Sequence, residues 1–419
     1  MFLGIIISTL KEIEIIRVIY RELYRRKQKL FLGLDFLVNL ARKAGFQAIT
    51  RSDLVNYHSK YQLQEFAPQK TVTISKSYSL EPIPEHLKRL IPATKLDFDP
   101  PFVCEFHDVQ LIGNYAVGFS SEGGMILETT PPQFNPINSH VAQYLPLKSL
   151  ITESMAIVSE PALETACSLV TPWSRNYFHW FTDFLTQLEA VDYYQQRTGV
   201  EVKLIVEPPN QWQEASLEML GFTPQNCFIW KQSTRYLKVK NLLVPSYRRN
   251  YANYRYESVD PDACRWVRNR ILSYFNLNVD DINPTNKIYI SRGQALARKV
   301  VNEAEVISAL KPLGFVDYKL EKMTFVEQVK LFHQAEIVIA PHGAGITNII
   351  FAQQPIVIEL FGSFVARTYA NLARGLGCKY GCLSFPAAEH QWRWEDSDLL
   401  VNIPLLLDLL EQMDKDKEQ

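Results

Sequence analysis

Three stretches of this chain combine residue types that chemistry needs. The first is EIVIAPHGAGITNIIF, Glu336 to Phe351, where an apolar run meets Pro341-His342-Gly343-Ala344-Gly345 and a helix-like segment follows at once. A strand of this kind ends at the carboxyl edge of a parallel sheet, where open α/β folds bind their ligands. Gly343 and Gly345 let the backbone turn sharply and bring its amides close to a ligand. Thr347 and Asn348 are placed to cap the following helix, whose N-terminus offers free N–H groups and a positive dipole end. With Ala344 between the glycines and His342 as a further donor, the loop reads as an anion site suited to a phosphate. The competing reading is a tight strand-to-helix turn around a core histidine, which would need no second glycine. Two familiar nucleotide loops are excluded. Asn348 stands where a dinucleotide fingerprint has its third glycine, and no Gly-Lys-Ser/Thr follows as in a Walker A loop.

The second stretch is Ser291-Arg292-Gly293 with Arg298, at the end of the apolar run KIYI. Two strand-end arginines either clamp a diphosphate through their planar forks or form surface salt bridges. The third is NYFHWFTD, Asn176 to Asp183, where His179 and Asp183 stand four apart and project from one helix face. Such a pair among Trp180, Phe181, Phe184 and Leu185 is either a general base with its partner or a structural pair holding a packed helix. Glu359, in the run PIVIELF, puts a carboxylate at the same sheet edge as the glycine loop, where it is suited to a ribose diol.

These residues need elements to hold them, and the chain supplies two alternating series. The 419 residues allow two medium domains at roughly 150 residues each. Residues 1–65 read as a helical N-terminal extension. Residues 66–260 begin with a proline-rich β layer and continue as strand and helix in alternation, with EVKLIVEPP as a strand and QEASLEMLGF as a helix. Residues 261–419 hold the second series. It opens with the helix DPDACRWVRNRILSYF, capped by Asp260 with Pro261 at its first position, and includes TFVEQVKLFHQA with a Thr324–Glu327 capping box. Two βα series in tandem predict an α/β protein of two Rossmann-like domains facing across a cleft.

Composition excludes several classes. Hydrophobic residues at 47% and charged residues at 21% fit a globular protein with sizeable cores, and a net charge of -1 gives no field for nucleic acid. The six cysteines, at 104, 167, 227, 264, 378 and 382, form no CxxC pair and suit a reducing, cytoplasmic setting. Asp97-Phe98-Asp99 has the letters of a metal–diphosphate motif, but no apolar strand precedes it and two prolines follow. The opening MFLGIIISTLKEIEII has neither the basic start of a signal peptide nor a spanning length of about 20 apolar residues. Arginines and lysines from Arg17 to Lys29 lie on a helical pattern of the kind that rests on a membrane surface, although a solvated helix packed on the body is the simpler account.

ISRGQALARKVVNEAEV, the stretch from Gly314 to Phe351, VIELF and NYFHWFTDFL together resemble the motifs of glycosyltransferase family 61, in the family's order and over about residues 105–385. The resemblance implies a GT-B-like architecture with the N-terminal lobe on the acceptor side and the C-terminal lobe holding a nucleotide sugar. It implies an inverting transferase that moves sugar from a nucleotide-linked, UDP-type donor to a hydroxyl of a glycan, lipid-linked or protein acceptor. No tightly bound cofactor is expected, and the metal requirement stays open. Asp183 would be the base and His179 its support. Ser291, Arg292, Arg298, the loop His342, Gly343, Ala344, Gly345, Thr347 and Asn348, and Glu359 would hold the nucleotide sugar. The absence of a leader or anchor in this sequence points to a bacterial-type cytoplasmic relative working in polysaccharide or lipid-linked glycan synthesis. A non-catalytic nucleotide- or glycan-binding protein that kept the fold is the alternative, and an NAD-dependent oxidoreductase is disfavoured by the missing third glycine.

Overall fold

Near-continuous apolar strands need cover on both faces, and the C-terminal half meets that need with a parallel sheet. The computed structural model describes residues 48–130, 162–231, 236–250, 258–278, 282–293, 295, 297–385 and 398–415. Strands β1 (Lys203–Val206) and β2 (Cys227–Ile229) pair in parallel. Strands β3 (Asn286–Ile290), β4 (Phe315–Tyr318), β5 (Ala335–Pro341), β6 (Ile356–Phe361) and β7 (Lys379–Ser384) form a separate five-stranded sheet in the order β4-β3-β5-β6-β7. Every neighbouring pair in it is parallel. In chain order that is 2-1-3-4-5, so the topology reverses between β3 and β5. In open α/β sheets, ligands bind outside the strands' carboxyl ends at such a switch point.

The period of two along these strands divides them between two cores. Tyr289, Ile337, Ile339, Ile356, Ile358 and Leu360 join a cluster with residues of helices α4 (Glu303–Leu310) and α7 (Ile403–Lys415). Ile288, Ile290, Val338, Ala340, Val357 and Phe361 face the other way. They pack with residues of α5 (Phe325–His333), α6 (Thr368–Gly375) and the segment after β5. The expected caps are in place. Thr324 and Glu327 close their capping box, and Asp260 accepts from the amide of Asp262 at the start of α3 (Pro261–Tyr274).

The described residues fall into two compact units. One comprises 48–62, 105–130, 162–166, 231 and 236–242, and the other holds the remaining described residues. In the first, Val117–Phe119 pairs antiparallel with residues 110–112 and with Met125–Ile126, and Ala48–Ile49 runs parallel to Met125–Ile126. Every candidate site residue named above lies in the second unit.

Two expectations about elements change. Part of the expected helical extension is strand, at Ala48–Ile49 and Gln64–Glu65, with one short helix at Arg51–Asn56. Most of that extension, residues 1–47 with the basic membrane-facing pattern, lies outside the described residues. The single helix expected from Asn176 to Tyr194 is instead composite. It runs as one α turn (Tyr177–His179), a π turn (Trp180–Phe184), a 3-10 turn (Leu185–Gln187) and then α1 (Leu188–Thr198). Among the described residues no helix is long and apolar enough to cross a membrane.

Candidate functional site

The composite helix places the histidine and the carboxylate together. Asn176 caps it by accepting from the amide of His179, and the widened π turn carries Asp183. Turns of this kind interrupt α-helices frequently at functional positions. His179 Nδ1 lies 2.6 Å from Asp183 Oδ2, and Arg249 Nε donates to Asp183 Oδ1 at 2.5 Å. Asp183 is 1% exposed. Burial alone pushes its carboxyl up, but the charge of Arg249 and the hydrogen bonds from His179 and Arg249 outweigh it and hold the group below the usual carboxylate range. The carboxylate therefore stays ionised, fixes the proton on His179 Nδ1 and orients the ring. His179 is half-buried, with its ring 5.0 Å from that of Trp173.

Arg249 is a residue the sequence reading missed. It follows the strand NLLVP in Tyr247-Arg248-Arg249-Asn250, and a doubled arginine at a strand end was the signal available. The two arginines diverge. Arg248 goes to Glu189 and to Asp260, binding the latter through Nε at 3.1 Å and Nη2 at 2.8 Å. Arg249 turns to Asp183, with its guanidinium over the ring of Phe178.

At the switch point the loops after β3 and β5 meet. Ser291 donates to Glu303, whose other oxygen accepts the Arg292 amide at 3.1 Å, so Ser291 shapes the loop that carries Arg292. The Arg292 guanidinium lies directly over Gly343. A Cβ at that glycine would stand 2.1 Å from Nη1 and 3.1 Å from Cζ. Gly343 has an extended backbone (φ 175°), so the close approach, not the dihedral, requires glycine here. At Gly345 a Cβ would meet Leu320 at 2.9 Å, so that glycine answers to packing.

Arg298 stands in the left-handed region at φ 58°, which costs a non-glycine residue energy and persists where the surroundings demand it. Burial, then the charge of Arg298, pushes the Arg292 guanidinium below its ordinary value. Two polar atoms here are buried and lack a hydrogen-bond partner among the described residues: Arg292 Nε and Arg298 Nε. Tyr369, at the start of α6, lies within electrostatic reach of both arginines and beside Thr347, and burial raises its hydroxyl pKa. Sequence reading missed it as well, since a lone tyrosine in a helix carries no pattern.

Other expected contacts are placed differently. The segment after β5 is a 3-10 helix, Ala344–Phe351, and no side chain caps it, so Thr347 and Asn348 do not act as the caps expected. Asn348 is fully buried with both ends engaged. It accepts from the Tyr177 hydroxyl at 2.6 Å and donates to Gln328 at 2.9 Å, which leaves no side-chain group for a nucleotide. Glu359 is likewise 0% exposed. One oxygen meets His342 Nδ1 at 2.5 Å, and the other accepts from Tyr380 at 2.6 Å. The ribose contact expected of Glu359 is not what this geometry offers, because the carboxylate serves His342 instead. The His342 ring, 8% exposed, lies against Phe361, Phe364 and Tyr369. Among the described residues no cluster of three or more His, Cys, Asp or Glu is placed to hold a metal ion.

The described residues define an α/β protein whose parallel sheet carries two arginines at its switch point and whose composite helix carries a buried carboxylate–histidine pair. The sequence match is more specific. Residues 177–358 match the family model described as Glycosyltransferase 61. The chain is also similar to EGF domain-specific O-linked N-acetylglucosamine transferases. It is 37% identical over 89 residues to that of Gallus gallus and 36% to that of Bos taurus, an alignment covering 20% of this chain and 17% of each relative. The Drosophila melanogaster protein is 29% identical over 124 residues, covering 28% of this chain and 22% of the relative. The matched stretch thus spans less than a quarter of the length of these relatives.

Proposed function

We propose that the protein is an inverting glycosyltransferase that takes a sugar from a nucleotide diphosphate donor, UDP-linked in the first instance, and passes it to a hydroxyl of a glycan, lipid-linked or protein acceptor. The observation that carries this reading is the set of buried groups without partners at the switch point. Arg292 Nε and Arg298 Nε sit near one another beside a glycine that leaves room for a guanidinium, with Thr347 and Tyr369 close by. Two like charges held near one another and partly desolvated are costly unless an anion joins them. A diphosphate has the charge and the oxygens to satisfy both. The match to the Glycosyltransferase 61 model supports a sugar donor as its source. In this reading residues 66–260 form the acceptor lobe of a GT-B-like protein and residues 261–419 the donor lobe.

His179 takes the acceptor's proton. Asp183 is the weaker candidate, because it is buried and both of its oxygens are engaged. It acts instead through His179, holding the tautomer and stabilising the imidazolium that forms, as the aspartate of a catalytic triad does. The acceptor oxygen forms its bond to the anomeric carbon while the bond from that carbon to the diphosphate breaks. Arg292 and Arg298 meet the negative charge that develops on the departing phosphate. The test is a panel of UDP-, GDP- and dTDP-sugars, UDP-N-acetylglucosamine among them, scored by calorimetry for binding and by chromatography for slow donor hydrolysis. Micromolar binding of one nucleotide class with release of its diphosphate supports the reading. Binding of none of them overturns it.

A further inference from the structure

The helix that carries His179 and the segment that carries Thr347 are joined by a directed hydrogen-bond chain. The Tyr177 hydroxyl donates to Asn348 Oδ1 at 2.6 Å, Asn348 Nδ2 donates to Gln328 Oε1 at 2.9 Å, and Gln328 Nε2 donates to the carbonyls of Leu320 and Met323 at 3.0 and 3.2 Å. Every donor in this chain points the same way. Burial raises the tyrosine pKa, so the hydroxyl keeps the proton it donates. Asn348 is fully buried, so its side chain has no water to turn to if the tyrosine leaves. Tyr177 is held on its other side by rings, with Phe181 at 4.7 Å and Trp212 at 5.2 Å. It stands two residues before His179, and Asn348 stands one residue after Thr347.

A second path runs parallel to the first. The Phe178 ring lies under the Arg249 guanidinium and 5.5 Å from Tyr369, edge to face, and Tyr369 touches the His342 ring at 5.1 Å. This path is made of ring contacts that slide, whereas the Tyr177–Asn348 bond has one length and one direction. Of the two, the hydrogen bond fixes position.

We infer that Tyr177 is a positioning residue that couples occupancy of the anion seat to the placement of His179, through Asn348 and the 3-10 segment Ala344–Phe351. The inference rests on the nucleotide-binding reading above. An anion drawing in Thr347 and the amides of the segment's first turn orders that segment, and Asn348 moves with it. Tyr177 then carries the change to the turn that bears His179, so a bound donor holds the base more firmly in register. The benefit is chemical. A base set without a donor has nothing to do, and a base out of register with a bound donor would activate water as readily as an acceptor.

The experiment compares wild type with Tyr177→Phe, which removes one oxygen and keeps the ring packing. UDP affinity is measured by calorimetry, and hydrogen–deuterium exchange is followed across residues 177–187 with and without saturating UDP. Wild type should show slowed exchange in that segment when UDP is added. Tyr177→Phe should bind UDP within about threefold of wild type yet lose most of the UDP-dependent protection there, while keeping protection in 343–351. Full UDP-dependent protection of 177–187 in Tyr177→Phe overturns the inference while leaving the nucleotide-binding reading intact. A wild type that does not bind UDP removes that reading and this inference with it. A variant that binds UDP weakly because it is unfolded is recognised by its apo exchange pattern, and Asn348→Leu, of similar shape and without the acceptor oxygen, then provides the second test: it too should lose the UDP-dependent protection of 177–187, and full protection there overturns the inference.

Discussion

Gly343→Ala isolates the contact on which the anion seat depends. The backbone at 343 is extended (φ 175°), so alanine adopts it without strain. The added Cβ, however, would stand 2.1 Å from Arg292 Nη1. Contacts of a Cβ under 3.0 Å are essentially never seen, so the guanidinium must retreat by at least 3.0 − 2.1 = 0.9 Å. The obstacle is the far end of a flexible side chain, so the fold absorbs the change and the melting temperature should move by no more than about 1–2 °C, the scale of 1 kcal/mol in a chain of 419 residues. The site cannot absorb it, since 0.9 Å is most of the difference between a hydrogen bond and none. Loss of one hydrogen bond to a charged partner is worth about 1.5–3 kcal/mol, or roughly 10- to 150-fold in Kd. Calorimetric titration with UDP should show that loss in Gly343→Ala and a loss of similar size in Arg292→Ala. The double variant should be little worse than either, because both changes remove the same contact. Unchanged UDP affinity in a folded Gly343→Ala protein would falsify the assignment of Arg292 to the diphosphate. Additive losses would mean that Gly343 and Arg292 serve separate contacts.

Asp183→Asn should destabilise the fold by about 3–5 kcal/mol in chemical denaturation, because the Arg249 guanidinium is then buried without its counter-charge; an unchanged midpoint would show the pair to be energetically idle. The same carboxyl gives a pH signature. Its folded pKa lies below the unfolded value of about 3.9, so its contribution is complete above that value and is lost as pH falls through the folded pKa. Acid unfolding should therefore be less steep in Asp183→Asn than in wild type, and equal steepness would place the acid-sensitive group elsewhere. His179→Gln should reduce donor turnover by 100-fold or more, the usual scale for a general base, with UDP affinity within about twofold. Lost affinity with retained turnover per bound donor would mean that His179 belongs to the binding site.

Much of the C-terminal sheet was legible because its strands are buried on both faces. KIYI, EIVIA and IVIELF are apolar runs too short for helices, and the caps at Asp260, Thr324 and Gly314 mark the helices between them. The positions of Arg292 and the glycine loop follow from strand ends, which a sequence does display. Identities of partners do not follow. Asn348 meets Tyr177 across 171 residues, and Arg249 meets Asp183 across 66, and no local pattern encodes such a distance. The π turn was invisible for another reason. Apolar residues at Phe181, Phe184 and Leu185 satisfy an α period as well, so periodicity does not distinguish the two geometries. Glu359 shows the limit of reading strand ends. A carboxylate there is exposed by default, yet here His342 and Tyr380 hold it fully inside.

Arg298 joins backbone cost to binding. A non-glycine residue in the left-handed region costs about 1–2 kcal/mol, and here the cost is borne by a side chain whose Nε has no hydrogen-bond partner among the described residues. The turn is held on either side, by Arg292 Nη2 donating to the Ala297 carbonyl at 3.0 Å and by the Lys299 amide donating to Asp398 Oδ1 at 2.8 Å, and in the proposed reading a bound anion satisfies the Arg298 Nε. The argument predicts a split between two substitutions at one position. Arg298→Gly and Arg298→Ala both remove the guanidinium and should weaken UDP binding by the same factor, about 10-fold or more. They differ only in backbone. Glycine sheds the left-handed strain but brings about 0.5–1 kcal/mol of extra chain entropy, so the apo protein should be more stable with glycine than with alanine by roughly 0.5–1 kcal/mol. Equal apo stabilities in thermal unfolding would show that position 298 carries no backbone strain. Unequal UDP affinities would show that the backbone conformation, and not the guanidinium alone, contacts the ligand.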